Sequence, residues 1–374
     1  RRMTVWSLHT TPYDTVVVMR ILGIESSCDE TAASVVEDGR RVLSNVVGSQ
    51  IDIHAEFGGV VPEIAARSHI EAILPIIEKA MRESDSGWDD IDAIAVTYTP
   101  GLIGSLLIGV MAARTLALLK NKPLVPVHHV EGHVYANFLL DTPPPFPCLA
   151  LITSGLHSQL VMFRDHGDYE MLGQTQDDAV GEAFDKVAKM LGLPYPGGPS
   201  VARAAESGDS QKYPLPKAKM PRPYDFSFSG LKTAVLRTIQ REVGVDHTFP
   251  SFKLAERLTT PQQQDIAASF QRVAVETLVE KTLKAYLEFT PASVVIAGGA
   301  AANQELRRQL RETLPIPIEY APMNLCTDNG AMIATLGYYM YEAGITCDPR
   351  MLEAIPSLSM TKTSWKPQPT LLDS

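Results

Sequence analysis

Ile21-Leu-Gly-Ile-Glu-Ser-Ser-Cys-Asp-Glu-Thr31 is an apolar run that breaks into a polar turn and resumes as Ala32–Val36. The same arrangement returns at Leu151-Ile-Thr-Ser-Gly-Leu-His-Ser-Gln159, with hydroxyls and a glycine between two short apolar runs. Runs of this length read as strands, so each segment is a β-hairpin with a polar tip. Backbone N–H groups and small hydroxyls at such a tip can cradle a phosphate. Asp29 and Glu30 cannot face a phosphate without a cation, so they point to metal, water or amine positioning.

Around the first hairpin, strands are expected at Val16–Ile24, Ala32–Val36 and Arg41–Val47, followed by a helix from about Gly59 to Glu83. A strand at Asp92–Tyr98, a helix at Leu102–Lys120, a strand at Leu124–His128 and a helix from about Val130 to Leu140 complete the first half. Pro143-Pro-Pro-Phe-Pro147 then breaks the chain. After it the pattern restarts, with strands at Cys148–Thr153, Ser158–Phe163 and Tyr169–Leu172 and a helix at Gly181–Leu191. Much later come a strand at Ser293–Ala297, a helix at Ala301–Leu314, a strand at Ile316–Tyr320 and a helix at Asp328–Tyr341. Each half thus runs β-β-β-α, then β-α. This order predicts two related α/β lobes, 19–147 and 148–345, with ligand in the cleft between them. A mostly helical insertion (Phe228–Glu242 and Pro261–Thr290), within about 195–290, splits the second lobe, and residues 346–374 form a tail.

The 374 residues suffice for two cores, and the composition is that of an ordinary α/β chain. A net charge of −10 argues against coating nucleic acid by bulk attraction. Cys28, Cys148, Cys326 and Cys347 lie far apart, which suits a reducing compartment and argues against a cysteine-bound zinc. Residues 1–18 lack an apolar signal core and read as an extension, a mis-assigned start or a transit remnant. Leu102–Leu119 is almost wholly apolar, but Gly104, Ser105, Gly109 and Arg114 within it favour a buried helix over a membrane span.

Val127-His-His-Val-Glu-Gly-His133 places His129 and His133 four residues apart, about 40° around a helix, so both reach one ion. A distant carboxylate in Cys326-Thr-Asp-Asn-Gly-Ala331 offers a third ligand, Asp328. Two imidazoles and one carboxylate with open positions suit iron or zinc. Glu131 lies about 200° from His129, too far round to be the base of a metalloprotease.

Other segments suggest a nucleotide cleft. Val295-Ile-Ala-Gly-Gly-Ala-Ala-Ala-Asn303 is a strand, a glycine pair and a helix start, where Asn303 can meet a ring or ribose. Tyr195-Pro-Gly-Gly-Pro199 is either a turn or a second wall of the same pocket. Asp178, Glu182 and Asp185 share one helix face, either solvated or, at Asp185, turned to a ribose hydroxyl or the substrate. Between Gln211 and Arg241, Lys212, Lys217, Lys219, Arg222, Lys232, Arg237 and Arg241 face one acid, Asp225, with Tyr213, Tyr224, Phe226 and Phe228 interleaved. This stretch is either a solvated surface or a polyanion-contacting patch.

Together these segments, with Phe57-Gly-Gly-Val-Val-Pro-Glu63, Gly181-Glu-Ala-Phe-Asp-Lys186 and Asp225-Phe-Ser-Phe-Ser-Gly-Leu-Lys-Thr233, closely resemble the TsaD/Kae family of tRNA threonylcarbamoyladenosine enzymes. The match runs from Ile21 to about Gly337 and looks bacterial or organellar. The resemblance implies a two-lobed actin/Hsp70/sugar-kinase-like (ASKHA) α/β fold. It implies transfer of the threonylcarbamoyl group from threonylcarbamoyl-AMP to N6 of adenosine 37 in tRNAs reading ANN codons. By the family pattern His129, His133 and Asp328 hold one divalent metal ion per subunit, iron or zinc, with magnesium accompanying nucleotide as an option. Ile152, Thr153, Ser154, Gly155, Leu156, Asp185, Gly198 and Asn303 line the adenylate site, and Asp29 and Glu30 match the acidic pair at the reacting centre. The family in bacteria works with a paralogous TsaB-type subunit and a small TsaE-type ATPase in the cytoplasm. Mitochondrial matrix forms act as homodimers. No membrane partner is implied.

The family's Ser-Gly-Gly-His-Thr-Gln is here Ser154-Gly-Leu-His-Ser-Gln159, and the departure that matters is Leu156 in place of a glycine. Either Leu156 has ordinary backbone angles and points away, or nucleotide binding is weakened. Ile152 stands where archaeal and eukaryotic cytosolic relatives carry a tyrosine, so three protein ligands are expected. Rival readings are a phosphotransferase or ATPase of the same fold class, a non-catalytic partner lobe and, least, a metalloprotease.

Overall fold

The computed structural model describes residues 18–362 and Trp365. Nearly all of the N-terminal extension, and the start expected for the first strand at Val16, lie outside the described residues.

The first sheet has the order β3-β2-β1-β4-β5, formed by β1 (Arg20–Glu25), β2 (Glu30–Glu37), β3 (Arg41–Ser49), β4 (Ala93–Thr99) and β5 (Leu124–His128). β1–β3 form an antiparallel meander, and β4 and β5 extend it in parallel. The second sheet has the order β8-β7-β6-β9, from β6 (Cys148–Ser154), β7 (His157–Asp165), β8 (Asp168–Gln174) and β9 (Ser293–Ala297). Three meander strands plus parallel additions occur in each lobe, as the repeated order predicts. The fifth strand expected at Ile316–Tyr320 does not form. Pro315 and Pro317 have no N–H to give a ladder, and the segment runs as a loop held by the Tyr320 hydroxyl on the Arg307 carbonyl.

Both faces of the first sheet are covered. On one lie α2 (Pro62–Glu83), after the short α1 (Ile51–Ala55), and α3 (Ile103–Lys120). Their core joins Leu22, Ile24 and Val35 to Ile73, Ile77, Val110 and Ala113. The helix expected from Gly59 starts only at Pro62, because Gly58 and Gly59 turn the chain with positive φ. α3 is long and apolar enough by composition to cross a membrane, yet one of its faces packs on the sheet through Leu106, Gly109, Val110 and Ala113. Its Arg114 is bound to the carbonyls of Pro349, Arg350 and Leu352. Contrary to a wholly buried helix, its other face leaves Ile103, Leu107, Met111 and Leu118 exposed.

On the opposite face lie α4 (His129–Tyr135) and a helix from the end of the chain. The second lobe supplies α5 (Val180–Leu191), α6 (Gly197–Ala205), α7 (Ser229–Glu242), α8 (Thr260–Phe289), α9 (Gln304–Thr313) and α10 (Met323–Cys326). α6 was not expected. α9 begins later than Ala301 because Gly299–Ala302 make a tight turn and Asn303 caps the helix. The last helix, α11 (Gly330–Glu342), packs under β1, β2 and β4 of the first sheet rather than on the second. Asn329 accepts the Met332 N–H as its N-cap, so Asp328 stands just outside the helix it was expected to open.

The insertion's four interleaved aromatics are core: Tyr213, Tyr224, Phe226 and Phe228 are all buried. They cannot stack on a bound base. Lys217 and Lys232 are committed to Glu276, Glu280 and Asp178, while Lys212, Lys219, Arg222, Arg237 and Arg241 remain on the surface.

Gly23 decides how α11 seats. A β-carbon there would stand 2.3 Å from the Gly330 carbonyl oxygen and 2.4 Å from the Ala334 nitrogen. Gly23→Ala is therefore expected to cost about 1–3 kcal/mol, read as a lower urea midpoint. It should also weaken divalent-metal binding, because Asp328 moves with α11.

Candidate metal centre

His129 opens α4 and His133 follows one turn later. Their Nε2 atoms are 3.2 Å apart. Asp328 Oδ1 lies 3.1 Å from His133 Nε2 and 3.6 Å from His129 Nε2. For metal bonds of about 2.1 Å, neighbouring ligands in tetrahedral or octahedral shells stand roughly 3.0–3.4 Å apart. The three donors thus fit one divalent ion with little movement. The ligand set expected from the spacing converges, although Asp328 comes from a segment nearly two hundred residues away.

Glu25 was missed by the sequence reading. It is fully buried at the end of β1, and its carboxylate meets His129 Nδ1 at 3.0 Å. It also accepts the Ser27 N–H and the Thr97 hydroxyl, each at 2.5 Å. Ser27 Oγ is 3.1 Å from the same imidazole nitrogen. A carboxylate on Nδ1 fixes the tautomer that leaves Nε2 free for an ion. The signal in the sequence was an acid at the end of an otherwise apolar strand, since a buried charge must be paired.

The charges reinforce each other. Burial alone would lower the His129 pKa, but the carboxylates of Glu25 and Asp328 more than offset it and push it up to about 9. Burial would raise Asp328, yet the charge on His129 and the hydrogen bond to His133 hold it at about 2. Glu30 is pushed up to about 10 by burial and by the negative charges of Asp328 and Asp29. The Asp328 carboxylate, buried and ionised beside the two imidazoles, suits a cation at this point.

The second lobe reaches the centre directly. Ser154 Oγ, at the tip of the β6–β7 hairpin, lies 2.6 Å from His133 Nε2. Thr153 Oγ1 donates to the Ala297 carbonyl, which ties this tip to the end of β9. Gly155 carries the positive φ of the turn, at 51°, and Leu156 is not among the residues with positive φ. The Leu156 side chain is 70% exposed. Of the two alternatives for Leu156, ordinary backbone with an outward side chain is the one observed. Ile152 is fully buried in the core and offers no ligand, in keeping with three protein donors.

The remaining expected residues are divided. Asp29 is buried at the first hairpin tip. Asp185 accepts the Gly197 N–H at 2.7 Å and lines a shallow pocket with Gly58, Lys189, Leu193 and Tyr195. Burial raises its pKa, and the negative charge of Asp29 adds to the rise. Gly198 faces open space, with no atom within 4 Å of where a β-carbon would sit. Asn303 is otherwise engaged: Oδ1 caps α9 at the Leu306 N–H, and Nδ2 donates to Gln271. The single acidic face expected of Asp178, Glu182 and Asp185 is not formed. Asp178 precedes α5 and pairs with Lys186 and Lys232, and Glu182 also binds Lys186. Glu131 points away from the histidines, as its angle predicted, and accepts from Trp365 Nε1 at 2.9 Å, with the Tyr169 hydroxyl oxygen 3.4 Å away.

The model of the TsaD family, tRNA N6-adenosine threonylcarbamoyltransferase, matches residues 41–335. The chain belongs to this family. It is 51% identical to the tRNA N6-adenosine threonylcarbamoyltransferase of Thermomicrobium roseum, over 88% of this chain and 94% of the relative. With that of Symbiobacterium thermophilum it shares 52%, over 91% and 96%. Among solved structures, HypF of T. kodakarensis superposes with a TM-score of 0.56 at 13% identity, covering 89% of this chain and 49% of HypF. That likeness concerns the fold, a two-lobed ASKHA architecture. As a TsaD-family enzyme the protein modifies tRNA, transferring the threonylcarbamoyl group to N6 of adenosine 37. The metalloprotease, partner-lobe and phosphotransferase readings fall away.

Two outcomes follow. Glu25→Gln should weaken divalent-metal binding by about 10–100-fold, measured by chelator competition. Leu156→Gly should leave adenylate affinity within about twofold of wild type by calorimetry, since an exposed surface side chain contributes little.

Proposed function

We propose that the donor is threonylcarbamoyl-AMP, bound between the two hairpin tips. The observation that supports this reading is the Ser154–His133 contact, which brings the tip of the β6–β7 hairpin against the candidate metal donors. Ser154, Gly155 and Leu156 present a hydroxyl and backbone N–H groups for the phosphate. Asp185 and Gly198 lie along the path of the ribose. The commitment of Asn303 to its cap and to Gln271 leaves it the weakest member of the proposed set.

His129, His133 and Asp328 would hold a divalent ion, iron or zinc by donor type, and such an ion would supply positive charge to offset charge developing on the donor's oxygens. The N6 amine of adenosine 37 forms a bond to the carbamoyl carbon, the carbon–oxygen bond to phosphate breaks, and AMP leaves. Asp29 takes the proton from N6. Glu30, whose pKa is raised by burial and by the neighbouring carboxylates, lies beside it and helps to position the amine.

The surface cations Lys212, Lys219, Arg222, Arg237 and Arg241 supply a phosphate-contacting face for tRNA, with no part for the buried aromatics. Ile70 and Leu74 of α2 join Ile103, Leu107, Met111 and Leu118 of α3 in an exposed apolar face. An exposed apolar face spanning two helices favours a protein partner, and the bacterial relatives favour a paralogous TsaB-type subunit over a second copy. A small TsaE-type ATPase completes the proposed set, in the cytoplasm.

The test combines the chain with its partners, threonylcarbamoyl-AMP and tRNA, with modified nucleoside read by mass spectrometry. Product should form, and a chelator should abolish it. Asp29→Asn should slow transfer by about 10²–10⁴-fold with tRNA binding intact. Wild-type transfer in that variant would remove Asp29 from the mechanism.

A further inference from the structure

Residues 346–362 are not a loose tail. Cys347 bridges Leu124 at the start of β5, and the Ile355 N–H donates to the Tyr98 carbonyl on β4. The Gly101 N–H donates to the Pro356 carbonyl, and His128 Nε2 lies 2.9 Å from the Leu358 carbonyl. Leu352 is buried in the core of α2 and α3. The strap then crosses to the second lobe, where the Tyr169 hydroxyl of β8 donates to the Met360 carbonyl. Beyond it, the Trp365 ring covers Gly167, where a β-carbon would meet the indole at 2.5 Å. Its Nε1 reaches back to Glu131 at 2.9 Å.

Glu131 sits on α4 midway between the two histidines and is only 2% exposed. It points to the side opposite the metal donors. A carboxylate buried there must be held by donors or α4 must roll to give it water. Any roll of so short a helix moves both imidazoles together. We infer that Trp365 is a positioning residue. Its indole N–H latches the C-terminal strap to Glu131 and so fixes the rotation of α4 that presents His129 and His133 to one ion. The Tyr169 hydroxyl, 3.4 Å away, is too long a contact to do this alone. The inference rests on the metal reading of His129, His133 and Asp328.

The test is Zn²⁺ affinity of the purified full chain by chelator competition, with melting temperature measured alongside. Trp365→Phe keeps the ring over Gly167 and removes only the donor. It should weaken Zn²⁺ binding by about tenfold, the lower end for outer partners of metal ligands, while the melting temperature stays close to wild type. Glu131→Gln removes the charge that needs the donor. Adding Trp365→Phe to it should then change Zn²⁺ affinity less than twofold. Wild-type affinity in Trp365→Phe overturns the latch, as does an equal loss with and without Glu131→Gln. A wild-type chain that takes up no Zn²⁺ overturns the metal reading, and the latch with it.

Discussion

The contact between β1 and the start of α11 governs the rest of the molecule. At Gly23 the strand and the helix backbone meet with no room for a side chain. This approach lets the last helix of the chain lie under the first sheet beside α4. Asp328, just before the Asn329 cap, is carried to the two histidines by that packing and by nothing local. The metal centre is therefore a product of interhelical distance: a shift of α11 by one methyl group's width would open the ligand triangle.

Electrostatics explains why this centre is built from both lobes. Glu25, Glu30 and Asp328 converge with Asp29 on one hollow, and burial strips them of water. Glu25 is neutralised by His129, Thr97 and Ser27 from its own lobe, and Glu30 by its proton. Asp328 is left to the imidazoles and to a cation. Ser154 brings a hydroxyl from the second lobe to 2.6 Å from His133 Nε2, so the second hairpin tip, the candidate metal donors and the acids adjoin one another.

Much of this was legible in the chain. The two hairpins, the proline break and the restarted pattern follow from hydrophobic periodicity, which reports burial directly. The four-residue histidine spacing and the angle of Glu131 follow from helix geometry, and both hold. Failures came where local pattern meets backbone chemistry or a partner far away. Pro315 and Pro317 disqualified an apolar run from the sheet. Asp178 was assigned to a helix that starts two residues later, and the insertion's aromatics were shared between core and surface readings until packing buried them.

By itself the sequence determined the lobes, the family and the residue types of the candidate metal donors, because periodicity and motif spacing are local properties of the chain. Tertiary structure alone decided that Asp328 closes the triangle, that Glu25 orients His129 and that Trp365 reaches Glu131. It also decided that Leu156, the bulky departure in the β6–β7 turn, points outward while Gly155 takes the positive φ. The physical reason is the same in each case. These contacts join residues far apart in the chain or depend on which of two neighbours carries a backbone strain, and neither leaves a periodic trace in the order of amino acids.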